Sequence, residues 1–241
     1  MSRRQDPTRG EGEHADVTGG WLRPAVFGVM DGLVSNFALI AGMAGGVAGG
    51  SAASGTLVLA GLAGLAAGAF SMAVGEYTSV ASQAELARAE LAVEQRELAE
   101  SPEVEQAELV QLYVARGVEV GLAREVARQL SQNAEQALVA HAREELGVDP
   151  SDLPSPLLAA VTSFLAFVTG ALVPVLPYLL GATTVLPTVL VSAAGMFVAG
   201  TIVSRVTARP WWWTGSRQLL LGGAAAALTY GVGAAVGTGL G

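Results

Sequence analysis

The sequence predicts an all-α integral membrane protein with five transmembrane helices and a helical subdomain inserted between the second and the third. Three observations predict it. Of 241 residues, 51% are hydrophobic, and the mean hydropathy is +0.48. Five stretches are nearly free of charge: Pro24 to Gly50 holds only Asp31, Gly55 to Val80 holds only Glu76, and Leu157 to Gly181, Val185 to Val203 and Leu219 to Gly241 hold none. Charge is instead gathered between Glu85 and Asp152, with fifteen acids against six Arg.

Each uncharged stretch is long enough to span. A bilayer core of about 30 Å takes roughly 20 helical residues, because unpaired backbone groups are too costly in lipid for any other single-segment solution. Ahead of them, residues 1–20 are polar and end in Thr18-Gly19-Gly20 without the small-residue cleavage pattern of a signal peptide, so they read as a disordered cytosolic tail. Residues 21–82 then carry transmembrane helices 1 and 2, residues 83–154 the inserted subdomain, and residues 155–241 transmembrane helices 3 to 5.

Orientation follows from arginine, the only basic residue besides two histidines. Arg3, Arg4, Arg9 and Arg23 precede the first span, six Arg lie in the insert, and Arg205, Arg209 and Arg217 lie between spans four and five. The positive-inside rule therefore puts the N-terminus, the insert and the Trp-rich loop in the cytosol. Trp21, Trp211, Trp212 and Trp213 all flank span ends on that same side, where amphipathic rings sit at headgroup level. The all-Arg, Ala- and Gly-rich composition points to a GC-rich bacterium, and hence to its inner membrane. With no cysteine, disulfides, thiolate ligands and cysteine redox chemistry are excluded. A net charge of -8 argues against a nucleic-acid partner.

The insert is rich in Ala, Glu, Leu, Arg and Gln, with apolar residues three and four apart, and reads as three or four helices. The first continues from span two to about Ala99. Ser101-Pro102-Glu103 offers an N-cap, a proline at the first helical position and an acid in the first turn, starting a helix that ends near Gly117. Asn133 to Gln136 resembles a capping box for a last helix that stops at Gly147. Within the spans, glycines recur four apart (Gly28 and Gly32, Gly42 and Gly46, Gly64 and Gly68, Gly233 and Gly237), which suits close helix packing and asks for no further role. Pro174 and Pro177 are expected to kink or end span three.

The residues that can carry chemistry are few. Asp31 and Glu76 are the ionisable side chains inside spans, and a carboxylate in hydrocarbon is costly unless it faces a cavity or a partner. Both fall in the cytosolic half, able to face one site. Met72 lies one turn before Glu76 and adds a thioether, while Ser35 and Asn36 add neutral oxygens. That donor mixture suits a borderline transition metal better than magnesium or calcium. Ligands must lose protons to bind metal, so exchange of metal for protons is chemically reasonable. In the insert, Glu90, Glu94 and Glu97 share one stripe, Glu105 and Glu108 pair on the next helix, and His141 and Glu145 lie one turn apart on the last. Like charges at this spacing cost a few tenths of a kcal/mol each. Bound cations would neutralise them; a solvated acidic face gives the same pattern, and spacing leaves both open. His14, among Glu11, Glu13 and Asp16, is a further metal-binding side chain, in the tail. No nucleophile and base pair or nucleotide-binding loop appears, so the chain is not expected to be an enzyme.

The run from Asp31 through Leu39 (DGLVSNFAL) and the run from Gly68 through Tyr77 (GAFSMAVGEY) resemble the first two membrane helices of the vacuolar iron transporter family. The similarity extends over nearly the whole chain after residue 20, including the place of the insert and its ending HAREELG from His141 to Gly147. It implies a homodimer in the lipid bilayer that exchanges protons for ferrous iron, and in some members manganese, moving metal out of the cytosol without a prosthetic group. It also implies a membrane path at Asp31 and Met72 and metal-binding glutamates at Glu94, Glu97, Glu105, Glu108 and Glu145 in the cytosolic domain, which raises the metal reading of the acidic stripe over the solvated one. Two departures stand out. Gly64 replaces a carboxylate of plant members, a role expected to pass to Glu76. His141 and Ala142 replace methionines, so His141 is expected as a ligand, extending the insert's range toward zinc or cobalt. The competing reading is a membrane-anchored metal sensor or buffer that does not transport.

Overall fold

A computed structural model describes residues 21–47, 54–207 and 209–240. Residues 1–20, with the expected disordered tail, His14 and the first three arginines, lie outside the described residues. Among the described residues there is no strand. The chain runs α1 (Leu22–Gly46), α2 (Ser54–Glu100), α3 (Pro102–Ala115), α4 (Val120–Leu130), α5 (Ala134–His141), a π-helical turn (Ala142–Leu146), α6 (Pro156–Leu179), α7 (Leu186–Thr207) and α8 (Trp211–Leu240). Five of these helices, α1, α2, α6, α7 and α8, are long and apolar enough to cross a membrane, matching the expected five spans. Two compact units result: residues 1–77 with 157–241, and residues 78–156.

In the membrane unit, α1 is central. Its Leu33, Phe37 and Ala41 pack with Met196 of α7 and Ala226 of α8, while its Ile40 packs with Leu57 of α2 and with Val175 and Tyr178 of α6. Lipid-soluble surfaces gain nothing from burial in lipid, so helix contact here depends on close approach at small residues. The glycines supply it. A Cβ at Gly32 would land on the Phe167 carbonyl of α6, and one at Gly170 on the Val29 carbonyl of α1. Gly42 and Gly46 face Gly233 and Gly237 of α8 in the same way. The outer surface carries Phe27, Leu59, Phe70, Leu157, Leu190, Ile202 and Leu228, as a lipid-facing surface should.

Of the two outcomes expected at Pro174 and Pro177, a kink or an end to span three, the end occurs at neither: α6 runs through both and stops at Leu179. Pro174 removes the hydrogen bond to the Gly170 carbonyl, but it is fully buried against packed neighbours, and in lipid such a carbonyl gains nothing from leaving the helix. The Trp-rich segment is not a loop either; Trp211, Trp212 and Trp213 form the first turn of α8. Pro210 fixes φ just ahead of the helix, and the Thr214 hydroxyl donates back to the Trp211 carbonyl at 3.1 Å.

The second unit comprises the C-terminal half of α2 with α3, α4, α5 and the π-helical turn. Val80, Ala84, Leu109, Ala123, Ala127, Ala137 and Ala142 are its buried apolar positions. Caps set its corners. The Glu119 carboxylate accepts from the Gly121 and Leu122 amides at 3.0 and 3.1 Å, and the Asn133 side chain accepts from the Glu135 and Gln136 amides at 2.9 and 3.1 Å. Ser101 stands at the start of α3 as expected, but its hydroxyl makes no cap; Pro102 at the first position already removes one of the amides a cap would serve. After the π-helical turn, Gly147 takes φ +65°, a left-handed value that ends the helix.

Candidate metal sites

The membrane unit holds a cavity of about 320 Å³ formed by α1, α2 and Phe167 of α6. Asp31, Ser35, Asn36 and Leu39 line it from α1; Gly64, Gly68, Ser71 and Met72 line it from α2. Four-residue steps put Asp31, Ser35 and Leu39 on one face of α1, and Gly64, Gly68 and Met72 on one face of α2. Asp31 and Ser35 are exposed at its mouth, Met72 is half-buried, and Asn36 is buried. The Ser35 hydroxyl donates to the Asp31 carbonyl at 2.6 Å. Asn36 Nδ2 donates to the Gly61 carbonyl at 3.1 Å and to the Ala171 carbonyl at 2.6 Å, tying α1 to α2 and α6.

Asp31 and Met72 thus share one cavity, with oxygen and sulfur donors on facing helices. Glu76, expected to face the same site, does not line it. Four residues on from Met72, it lies about 6 Å further along α2. Phe167 carried no signal in the sequence: an aromatic in an uncharged span has no polar mark, and only the α6 packing brings it here.

In the inserted unit, α2, α3 and α5 each send one ligand-bearing side chain to a common point. His141 Nδ1 lies 2.8 Å from Glu145 Oε1, 3.0 Å from Glu94 Oε1 and 3.8 Å from Glu105 Oε2. His141, Glu94 and Glu105 are 0%, 5% and 6% exposed, and one ligand atom from each lies within 4.8 Å of the others. His141 Nε2 has no hydrogen-bond partner among the described residues. Burial pushes the Glu94 carboxyl above its usual range, helped by the charges of Glu145, Glu105 and Glu97 and opposed by His141. Burial does the same to Glu105, helped first by Glu108 and opposed by His141. Metal-ligand distances of about 2 Å would require these donors to draw in around an ion, a modest contraction for side chains already this close.

Glu97 and Glu108 are exposed at the edge of this cluster, near enough to act on it by charge. Glu108 and Glu145 also line a cavity of about 640 Å³ with Gln111 and Glu144. Glu90, on the same stripe as Glu94, is exposed and exerts no such influence. The π-helical turn that follows His141 had no sequence signal; such turns are rare and often accompany functional sites.

Comparison with known proteins bears directly on this arrangement. The profile of the VIT family matches residues 22–234, which include both constellations. The chain belongs to the VIT family. It is 42% identical over 186 residues to a vacuolar iron transporter of Acanthamoeba castellanii, covering 74% of this chain and 66% of that protein. It is 34% identical over 225 residues to vacuolar iron transporter 1 of Oryza sativa subsp. japonica, covering 92% and 88%. The Arabidopsis thaliana vacuolar iron transporter 1 is 34% identical over 182 residues, covering 74% and 71%. These VIT relatives bear the names of transporters, not of enzymes.

Proposed function

We propose that this VIT-family chain moves ferrous iron, and manganese as a second substrate, out of the cytosol in exchange for protons. The observation that carries the reading is the cavity that Asp31 and Met72 both line inside a membrane-spanning unit. The names of the relatives support metal-ion transport. In the reading, metal is gathered from the cytosol by Glu94, Glu97, Glu105, Glu108, His141 and Glu145, taken at Asp31 and Met72, and released on the far side. Glu76, outside the cavity, serves the approach to it. Protons return on the carboxylates that metal vacates.

The open mouth of the cavity supports a homodimer. Asp31 is exposed on a single chain, and a carboxylate facing lipid is too costly to persist, so a second copy would cover it. The arginine distribution supports a cytosolic N-terminus, and composition supports a bacterial inner membrane; the relatives' names place those proteins in an intracellular one.

Purified protein in vesicles should take up ferrous iron under a pH gradient, and Asp31→Asn should abolish the uptake. Normal uptake in that variant would remove the path. A sensor or buffer reading is favoured by one observation, that the His141 cluster is complete within the inserted unit; binding without flux in the same vesicles would select it. Zinc or cobalt binding to the insert fits either reading.

A further inference from the structure

The membrane cavity contains an oxygen atom that the packing leaves without a partner. Asn36 is 2% exposed, and both hydrogens of its amide nitrogen are spent on the Gly61 and Ala171 carbonyls. Those acceptors fix which end of the amide is nitrogen, since carbonyl oxygens cannot donate. Oδ1 therefore points the other way, toward Gly64 in the cavity wall, and has no hydrogen-bond partner among the described residues. A buried carbonyl in that condition costs about 1–3 kcal/mol. Only the missing side chain of Gly64 leaves space beside it: a Cβ there would stand 2.9 Å from Asn36 Oδ1 and 2.5 Å from Leu39 Cδ2. Ser35 differs: its hydroxyl donates to the Asp31 carbonyl and is exposed, so its oxygen is not a buried orphan.

We propose that Asn36 Oδ1 is a second station for the divalent cation in the membrane cavity, one that sets its preference toward harder ions. The proposal rests on the transport reading above. Five residues separate Asp31 from Asn36, about 7.5 Å along α1. On α2 the corresponding lining residues run back from Met72 to Gly64, so the two stations lie along the cavity and not across it. Asp31 takes the ion with the help of the Met72 sulfur. An amide oxygen is a hard, neutral donor: it attracts manganese or ferrous iron more than a soft ion such as cadmium, which Met72 alone would favour. Being neutral and unable to titrate, it holds the ion weakly enough to let it go, as a conducting path requires.

The test is uptake of manganese and cadmium in competition, in vesicles carrying the full chain. Asn36→Ala removes the oxygen, but it also removes two helix ties. Gly64→Ala combined with Leu39→Ala places a methyl group against Oδ1 with the Leu39 clash relieved, and removes neither the donor nor the acceptors of the two ties. Both variants should lose manganese uptake about tenfold or more relative to cadmium, the usual loss when a group that orients or holds a metal is removed. Leu39→Ala alone supplies the baseline, and the loss in the pair must exceed whatever that single substitution gives. If both variants lower the two metals by one common factor, or change neither, Asn36 is a helix tie only and the proposal fails. Absence of flux in the unsubstituted protein would instead defeat the transport reading. In that case equilibrium manganese binding, in a background with the insert silenced by Glu94→Gln and His141→Ala, decides the matter: binding weakened by the Gly64 and Leu39 pair supports the station, and unchanged binding overturns it.

Discussion

His141 Nδ1 stands 3.0 Å from Glu94 Oε1 with both side chains sealed from solvent, one on α5 and the other on α2. Nothing in the local stability of either helix requires this. A buried imidazole against buried carboxylates is costly unless something positive sits among them, a proton on the ring or a cation between the groups. In the proposed reading the positive partner is a metal ion.

Substituting either residue should therefore weaken metal binding by the full chain in detergent. Glu94→Gln and His141→Ala are each expected to reduce manganese affinity by about tenfold or more, measured by calorimetry. Glu90→Gln, on the same stripe but outside the cluster, should leave affinity unchanged. Equal effects of Glu90 and Glu94 would mean that the acids act as a diffuse charged face.

The raised Glu94 and Glu105 carboxyls predict a pH dependence with a definite sign. An acid whose pKa is higher in the fold binds more protons there than in the unfolded chain, so stability falls as pH rises from the ordinary glutamate value, about 4.3, through the raised folded values. The melting temperature of metal-free protein should drop over that window. Glu94→Gln should flatten the profile, and added manganese, which binds the ionised carboxylates, should reverse it at the upper end. A metal-free profile that climbs across the same window would contradict the burial of these groups.

Asp31 and Glu76 should separate in function. Because Glu76 lies outside the cavity that Asp31 lines, Glu76→Gln is expected to retain a substantial part of the pH-driven iron uptake that Asp31→Asn loses. Equal losses would return Glu76 to the site.

The α1 and α6 crossing predicts a packing defect. Gly170→Val would drive a side chain into the Val29 carbonyl, a contact between two backbones with no flexible end to yield. A loss of about 1–3 kcal/mol, or a failure to fold, is expected, read as a fall in melting temperature in detergent. Gly223→Ala, at a glycine with nothing within 4 Å of an added Cβ, should be neutral.

The amino-acid sequence alone determined the number of spans, the place of the insert and the short roster of donors, because each is written in composition and period: some 20 uncharged residues make a span, and an acid inside one is conspicuous. It also placed Glu94, Glu105, His141 and Glu145 among the candidates, though helical spacing could not distinguish Glu94 from Glu90, since both lie on one stripe of α2. The family resemblance preferred Glu94, and the side chains that α3 and α5 bring to that stripe give the physical reason. In the membrane, Asp31 and Met72 carried sequence signals, but the exclusion of Glu76, the inclusion of Phe167 and the free oxygen of Asn36 did not. Those depend on which atoms two facing helices bring within a few ångströms of each other, a relation between distant segments that no local pattern encodes.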